Sequence, residues 1–196
     1  MLKFALIVGS TRPNRFADHP AQWIVKGAAG RTDFTLELLD LREADLPLFE
    51  EPTPPSRTKG VFSNPKAEAW RKKLGEYDGF IATAAEYNHG PTAVLKNAFD
   101  SAFLEWVRKP IGFVGYGGTG GVRSVEQLRQ IVVELQMAPV RAAVHIGIEP
   151  YLAVLTQGKS LDDFEALGRS RTALFNDMVW WGAALKTARA ATPAPA

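Results

Sequence analysis

The side chains best equipped for chemistry gather in three short segments. Gly9-Ser10-Thr11-Arg12-Pro13-Asn14-Arg15-Phe16 follows the apolar run Phe4–Val8 and combines two hydroxyls, an amide and two guanidiniums with main-chain N–H groups entering a helix. Such donors make an anion site, and a doubly charged phosphate monoester matches two arginines better than a lone carboxylate does. A solvated turn is the plainer reading, but the position directly after the first strand favours the phosphate. Asp18, just beyond, opposes an anion unless it points away as a cap. Neither the Walker A pattern nor the dinucleotide glycine pattern occurs here.

The second segment, Ala85-Glu86-Tyr87-Asn88-His89-Gly90-Pro91, offers a flat aromatic face and directional hydrogen-bonding groups, as a planar heterocycle requires. Taken alone it is a polar turn. The third, Tyr116-Gly117-Gly118-Thr119-Gly120-Gly121, exposes main-chain amides that a ligand can approach closely. Read from Gly115 it matches G-x-G-x-x-G. It does not follow the first strand, however, and lacks an acidic residue about 20 positions on, so a dinucleotide site is not inferred.

Other candidates are weaker. His19, His89 and His145 show no metal-ligand spacing, and His145, inside an apolar run, reads as a core histidine. There is no G-x-S-x-G elbow. Glu50-Glu51 reads as a solvated turn, Asp162-Asp163 as a helix N-terminus, and Trp180-Trp181 as packing residues of the last helix.

The elements that must position these segments alternate in type. Apolar runs at Phe4–Val8, Phe34–Leu39, Gly79–Thr83, Ile111–Gly115 and Ala142–Ile146 predict five strands of a buried parallel sheet. Between them, helical patterns are predicted over Pro20–Gly30, from Asn64-Pro65 onward, over Thr92–Trp106, over Val122–Met137, and from the capping box at Ser160–Asp163 to about Ala188. The segments after helices, Gly30–Asp33, Glu76–Asp78 and Ala138–Val140, are short and bland, whereas those after strands one, three and four are rich in donors. Ligands of open α/β sheets bind beyond the carboxyl ends of the strands, so one face of the domain is the candidate site. Glu50–Ser63, with Pro52, Pro54 and Pro55, is predicted to be an excursion or lid. Residues 1–190 are read as one domain and 191–196 as a flexible Pro/Ala tail.

Composition narrows the function classes. The 196 residues carry 23 Lys+Arg and 21 Asp+Glu, a net charge of +2, with no basic run to track a nucleic-acid backbone. The absence of cysteine removes disulfides, thiolate metal sites and thiol redox chemistry. No secretory signal or membrane-spanning run is apparent, and a soluble, cytoplasmic protein is expected.

In its three donor-rich segments the chain resembles the NADPH-dependent FMN reductase family. The likeness rests on Gly9–Arg15, on Glu86–Gly90 with Leu95-Lys96-Asn97-Ala98, and on Gly117–Gly121 with Leu128-Arg129, and it extends from about Leu2 to Ile148. It implies a flavodoxin-like fold: a doubly wound, five-stranded parallel sheet of order 2-1-3-4-5 with helices on both faces. It also implies that Ser10, Thr11, Arg12, Arg15, Phe16 and Ala17 hold the FMN phosphate. Glu86, Tyr87, Asn88 and His89 would line the isoalloxazine, and Tyr116, Gly117 and Gly118 would close its pyrimidine end. Hydride would pass from NADPH or NADH to the flavin and on to a small-molecule electron acceptor, such as free flavin or a quinone, with no protein acid or base. The family often has proline where Ala85 stands and an aromatic-proline pair at Pro91-Thr92. The Leu46–Phe49 stretch resembles a segment that reaches towards a partner subunit, which implies a homodimer or homotetramer. The alternative is a flavodoxin-like electron carrier. Such carriers are strongly acidic, and the net charge of +2 argues against one.

Overall fold

A computed structural model describes residues 1–58 and 61–192. Five strands, β1 (Leu2–Val8), β2 (Phe34–Asp40), β3 (Gly79–Ala85), β4 (Pro110–Tyr116) and β5 (Ala138–Ile146), form one all-parallel sheet in the order β2-β1-β3-β4-β5. Among the described residues seven α-helices accompany it: α1 (Asp18–Ala28), α2 (Leu41–Ala44), α3 (Pro65–Gly75), α4 (Ala93–Asp100), α5 (Val122–Glu134), α6 (Ile148–Thr156) and α7 (Glu165–Ala191). The expected doubly wound, flavodoxin-like sheet is thus observed.

The central strands are buried on both faces, so their sequences read as continuous apolar runs, yet the side chains still alternate. Leu2, Phe4, Leu6 and Val8 of β1 face a core completed by Trp23 and Ile24 of α1 and by Leu174, Phe175 and Met178 of α7. Ala5 and Ile7 face the opposite core, built with Trp70 and Leu74 of α3, Leu95 and Phe99 of α4, and Val125, Leu128 and Val132 of α5. Trp106 lies fully buried in this second core, its ring 4.7 Å from Phe80 and 5.4 Å from Phe99, its indole N–H donating to the Phe99 carbonyl at 3.2 Å.

Several predicted boundaries move. Helix α4 stops at Asp100, because the Ser101 hydroxyl bonds the Asn97 carbonyl at 2.7 Å and the chain then turns Trp106 inward. Strand β5 begins at Ala138, so Ala138–Val140 belongs to the sheet and not to a connecting loop. Pro139 is tolerated because β5 is an edge strand, and the β4–β5 register shifts beside it. The capping box at Ser160–Asp163 opens a single 3-10 turn, Leu161–Asp163, and α7 follows from Glu165. Helices α2 and α6 were not predicted: α2 spans only four residues, and α6 leaves Ile148, Leu152 and Leu155 exposed instead of presenting a buried apolar stripe. Ala191 closes α7, the Thr192 carbonyl accepts from Arg108, and residues 193–196 of the expected tail lie outside the described residues.

The proline-rich excursion is pinned at both ends. Asn97 bonds the Phe49 N–H and the Pro47 carbonyl, while Glu51 accepts from the Ser63 and Asn64 N–H groups at 3.1 and 3.0 Å. Trp180 and Trp181, expected to pack, are 65% and 40% exposed and meet edge-on at 5.2 Å. His145, expected in the core, is exposed on β5, its Nδ1 3.0 Å from the Gly120 carbonyl oxygen.

Because Trp106 joins α3, α4 and β3 in one apolar cluster, Trp106→Ala is expected to cost about 3–5 kcal/mol of stability. Urea unfolding at neutral pH checks it through a lowered midpoint at unchanged slope.

Candidate active site

The parallel register brings the ends of β1, β3 and β4 level: Val8 pairs with Thr83, and Ala85 with Tyr116. The segments that follow them converge on a cavity of about 310 Å³. Gly9 is fastened first, its N–H donating to the Thr83 hydroxyl at 2.9 Å and its carbonyl accepting from the Thr92 hydroxyl at 2.6 Å. Thr92 also caps α4 through the Leu95 N–H.

Arg12, Arg15 and Phe16 from the first loop line the cavity, with Glu86 and Tyr87 from the second and Tyr116, Gly117 and Gly118 from the third. Ser10, Thr11, Ala17, Asn88 and His89 are not among the cavity's lining residues. Ser10 is buried with its hydroxyl 3.2 Å from the Tyr87 hydroxyl. The N–H groups of Thr11, Arg12, Phe16 and Ala17 have no hydrogen-bond acceptor among the described residues, although Phe16 and Ala17 are buried. Ala17 occupies the N-cap of α1, where no side chain caps the helix. Buried main-chain donors are normally paired, and a helix start of this kind favours an anion.

The two arginines differ. The Arg12 guanidinium is exposed and lies over the Tyr87 ring, 5.6 Å from its centre. Arg15 is buried and committed: it donates to both carboxylate oxygens of Asp40, to Asp18 at 2.7 Å and to the Ser10 carbonyl at 2.5 Å. Burial works against the charged form of Asp40, but the Arg15 hydrogen bonds and the Arg42 N–H prevail and hold the carboxyl below its ordinary range. Asp18 neither repels the site freely nor points away as a cap, since Arg15 neutralises it.

The ring-side loops are braced to each other. Tyr87 and Gly90 exchange main-chain hydrogen bonds of 2.9 and 3.1 Å around Asn88 and His89, which both have positive φ (49° and 76°), the pattern of a tight hairpin turn. Histidine takes a place that glycine normally fills, and α5 holds it there: Gln127 donates to the His89 carbonyl at 2.6 Å and Arg123 lies 3.2 Å from His89 Nδ1. The Glu86 carboxylate accepts from Thr119, from the Arg123 N–H and from the Arg123 guanidinium. At Gly121 (φ 71°) a side chain would press within 2.8 Å of the Gly115 Cα, so the glycine-rich turn folds back on β4 only as glycine. The Tyr116 hydroxyl, buried beside Ser10 and Tyr87, is pushed to higher pKa by desolvation.

Four contributors escaped the sequence reading. Asp40 and Arg42 stand at the carboxyl end of β2, outside the three donor-rich segments. Tyr151 reaches the cavity from α6 and stacks on Phe16 at 4.2 Å, and Arg123 sits one helical residue beyond the glycines. A wider groove of about 530 Å³ runs along β2, but its Lys66 and Lys73 are already paired with Asp45 and Glu37. No helix among the described residues is long and apolar enough to cross a membrane, and no cluster of metal-ligating side chains occurs among them.

Comparison with known proteins agrees with this geometry. The model of the NADPH-dependent FMN reductase family matches residues 2–150. An NAD(P)H-dependent FMN reductase of Schizosaccharomyces pombe is 33% identical over 144 residues, covering 72% of each chain. A probable NADPH:quinone oxidoreductase of Oryza sativa is 32% identical over 161 residues, covering 79% of this chain and 75% of the other. Among solved structures, a flavoenzyme NAD(P)H:(acceptor) oxidoreductase of Paracoccus denitrificans superposes with a TM-score of 0.73 over 93% of this chain and 97% of its own, at 19% identity. The fold and site therefore define a flavin-dependent oxidoreductase of the flavodoxin-like class. The chain belongs to the NADPH-dependent FMN reductase family, with FMN and NAD(P)H as its cofactors.

The Glu86 brace sets a pH dependence. Burial opposes its charged form, but Arg123 and Thr119 hold its pKa below the ordinary glutamate value of 4.5, so its stabilisation is present above that pH and is lost as pH falls through the lower folded value. Glu86→Gln is expected to cost about 1 kcal/mol at pH 7, modest because Arg123 is 45% exposed, with the gap to wild type closing in acid. Urea midpoints of both proteins at pH 7 and pH 3 measure it.

Proposed function

We propose that the first loop binds the FMN phosphate, that the second and third flank the isoalloxazine, and that the protein passes hydride from NAD(P)H to a small acceptor such as free flavin or a quinone. The observation that carries this reading is the pair of unpartnered N–H groups of Phe16 and Ala17 at an uncapped helix start, with those of Thr11 and Arg12 in the loop before it, beside the exposed Arg12 side chain. They suit one phosphate. A dinucleotide lying lengthwise needs a pyrophosphate cradle.

Bound FMN supplies the hydride-accepting chemistry. The protein binds and orients. Tyr87, steadied by the Ser10 hydroxyl and by Arg12, forms the wall between phosphate and ring. The Gly118 amide, which has no acceptor among the described residues, would serve the ring's pyrimidine end, where negative charge gathers on reduction. The Glu86–Arg123 brace keeps the two ring-side loops at a fixed spacing. No side chain in the cavity is needed to carry a proton.

An autonomous enzyme fits better than an electron carrier, because a chain of net charge +2 lacks the acidic surface of a carrier that docks on redox partners. Assembly into a homodimer or homotetramer is part of the proposal, supported by Leu48, 72% exposed on its pinned segment, and by the exposed tryptophan pair. A cytoplasmic setting accords with the absence of cysteine.

Arg12→Ala is expected to remove a charged contact of roughly 1.5–3 kcal/mol, weakening FMN binding more than tenfold. Fluorescence titration of the purified protein measures this, and unchanged affinity refutes the phosphate assignment. Wild-type protein with FMN is expected to oxidise NADPH in steady state with no partner protein added; turnover that requires a protein partner would favour the carrier.

A further inference from the structure

Three successive carbonyls of the first loop, those of Ser10, Thr11 and Arg12, accept hydrogen bonds from guanidinium groups tied to the corner between β2 and α2. Arg15 takes the Ser10 carbonyl at 2.5 Å while both Asp40 oxygens grip its other end. Arg42 takes the next two, through Nε to Thr11 at 3.4 Å and through Nη2 to Arg12. Asp40 joins the two arginines: its carboxylate caps α2 by accepting the Arg42 N–H at 2.9 Å. Asp40 and Arg42 lie 25 or more residues from the loop they hold.

We propose that Arg42 and the Asp40–Arg15 pair are positioning residues for the phosphate. By drawing these carbonyls to the outside of the loop, they turn the N–H groups of Thr11 and Arg12 to the inside, where a phosphate monoester collects them. In a planar trans peptide the C=O and the following N–H point in opposite directions, so fixing one side aims the other. The carbonyls of Ser10 and Thr11 aim the amides of Thr11 and Arg12, which have no acceptor among the described residues. Beyond them stands Pro13, which has no N–H to aim, and the guanidinium contacts stop there. Arg15 therefore acts through the loop. Its side chain is 4% exposed, and carboxylates and a carbonyl already occupy its donors. Arg42 adds the charge this pairing consumes: Arg12, Arg15 and Arg42 against Asp18 and Asp40 leave one net positive charge, 3 − 2 = +1, beside the site.

This inference rests on the phosphate reading above, and the test separates the two. FMN and riboflavin differ by the phosphate alone, so their affinity ratio reports the phosphate site while general damage moves both together. Affinities for FMN and riboflavin are measured by flavin fluorescence on the full chain as wild type, Arg42→Ala and Arg42→Lys, with thermal melts to verify folding. Wild type is expected to prefer FMN strongly. Arg42→Ala should weaken FMN about tenfold and leave riboflavin unchanged. Arg42→Lys should restore only part of the preference, because a single ammonium cannot span two carbonyls as a planar fork does. A wild type that binds the two flavins alike would overturn the phosphate reading and this inference with it. Given a discriminating wild type, two results overturn the inference alone: an unchanged ratio in Arg42→Ala, whether neither affinity falls or both fall equally, or full recovery in Arg42→Lys, which would mean that charge rather than geometry is at work. If Arg42→Ala does not fold, the lysine variant alone decides between partial loss and an unchanged ratio.

Discussion

Main-chain N–H groups that find no partner among the described residues govern this site. Desolvating such a donor without a hydrogen bond costs on the order of 1–3 kcal/mol, and the buried Phe16 and Ala17 present two of them at the start of α1, with those of Thr11 and Arg12 in the exposed loop before it. A fold tolerates that arrangement when a ligand completes it. The level strand ends place the loop, Thr83 and Thr92 fasten its first residue, and the β2–α2 corner holds its carbonyls.

The charges follow the same logic. A near-neutral chain conceals a local division of labour in which Arg15 is spent on Asp40 and Asp18 while Arg12 stays free of carboxylates. Buried ion pairs contribute little net stability but fix geometry, and here the geometry fixed is that of the phosphate loop. On the ring side Glu86 and Arg123 play the matching role, tying the hairpin turn at Asn88-His89 to the glycine-rich turn at Gly117–Gly121. A phosphate cradle, a ring platform and a braced spacing between them are all that a flavin enzyme without protein acid–base chemistry requires.

Much of this was legible in the residues. Continuous apolar runs revealed the buried strands, and the contrast between loops after strands and loops after helices located the site before any geometry was known. What stayed hidden has identifiable causes. Arg12 and Arg15 look alike in sequence, and only the distant Asp40 separates an available cation from a consumed one. Asp40 and Arg42 belong to the same loop-after-strand rule, but Asp-Leu-Arg has no glycine or hydroxyl to draw attention. Helix α6 exposes apolar residues and so lacks the buried stripe that reveals a helix, which concealed Tyr151. Trp180 and Trp181 looked like core because tryptophan usually is, yet this surface leaves them uncovered.

The central claim is that one phosphate, that of FMN, completes the first loop. A crystal structure of the FMN complex tests it most directly. The account predicts phosphate oxygens about 3 Å from the N–H groups of Thr11, Arg12, Phe16 and Ala17, with Arg15 still bound to Asp40. A phosphate seated elsewhere, or an Arg15 swung away from Asp40 to grip it, would contradict the account.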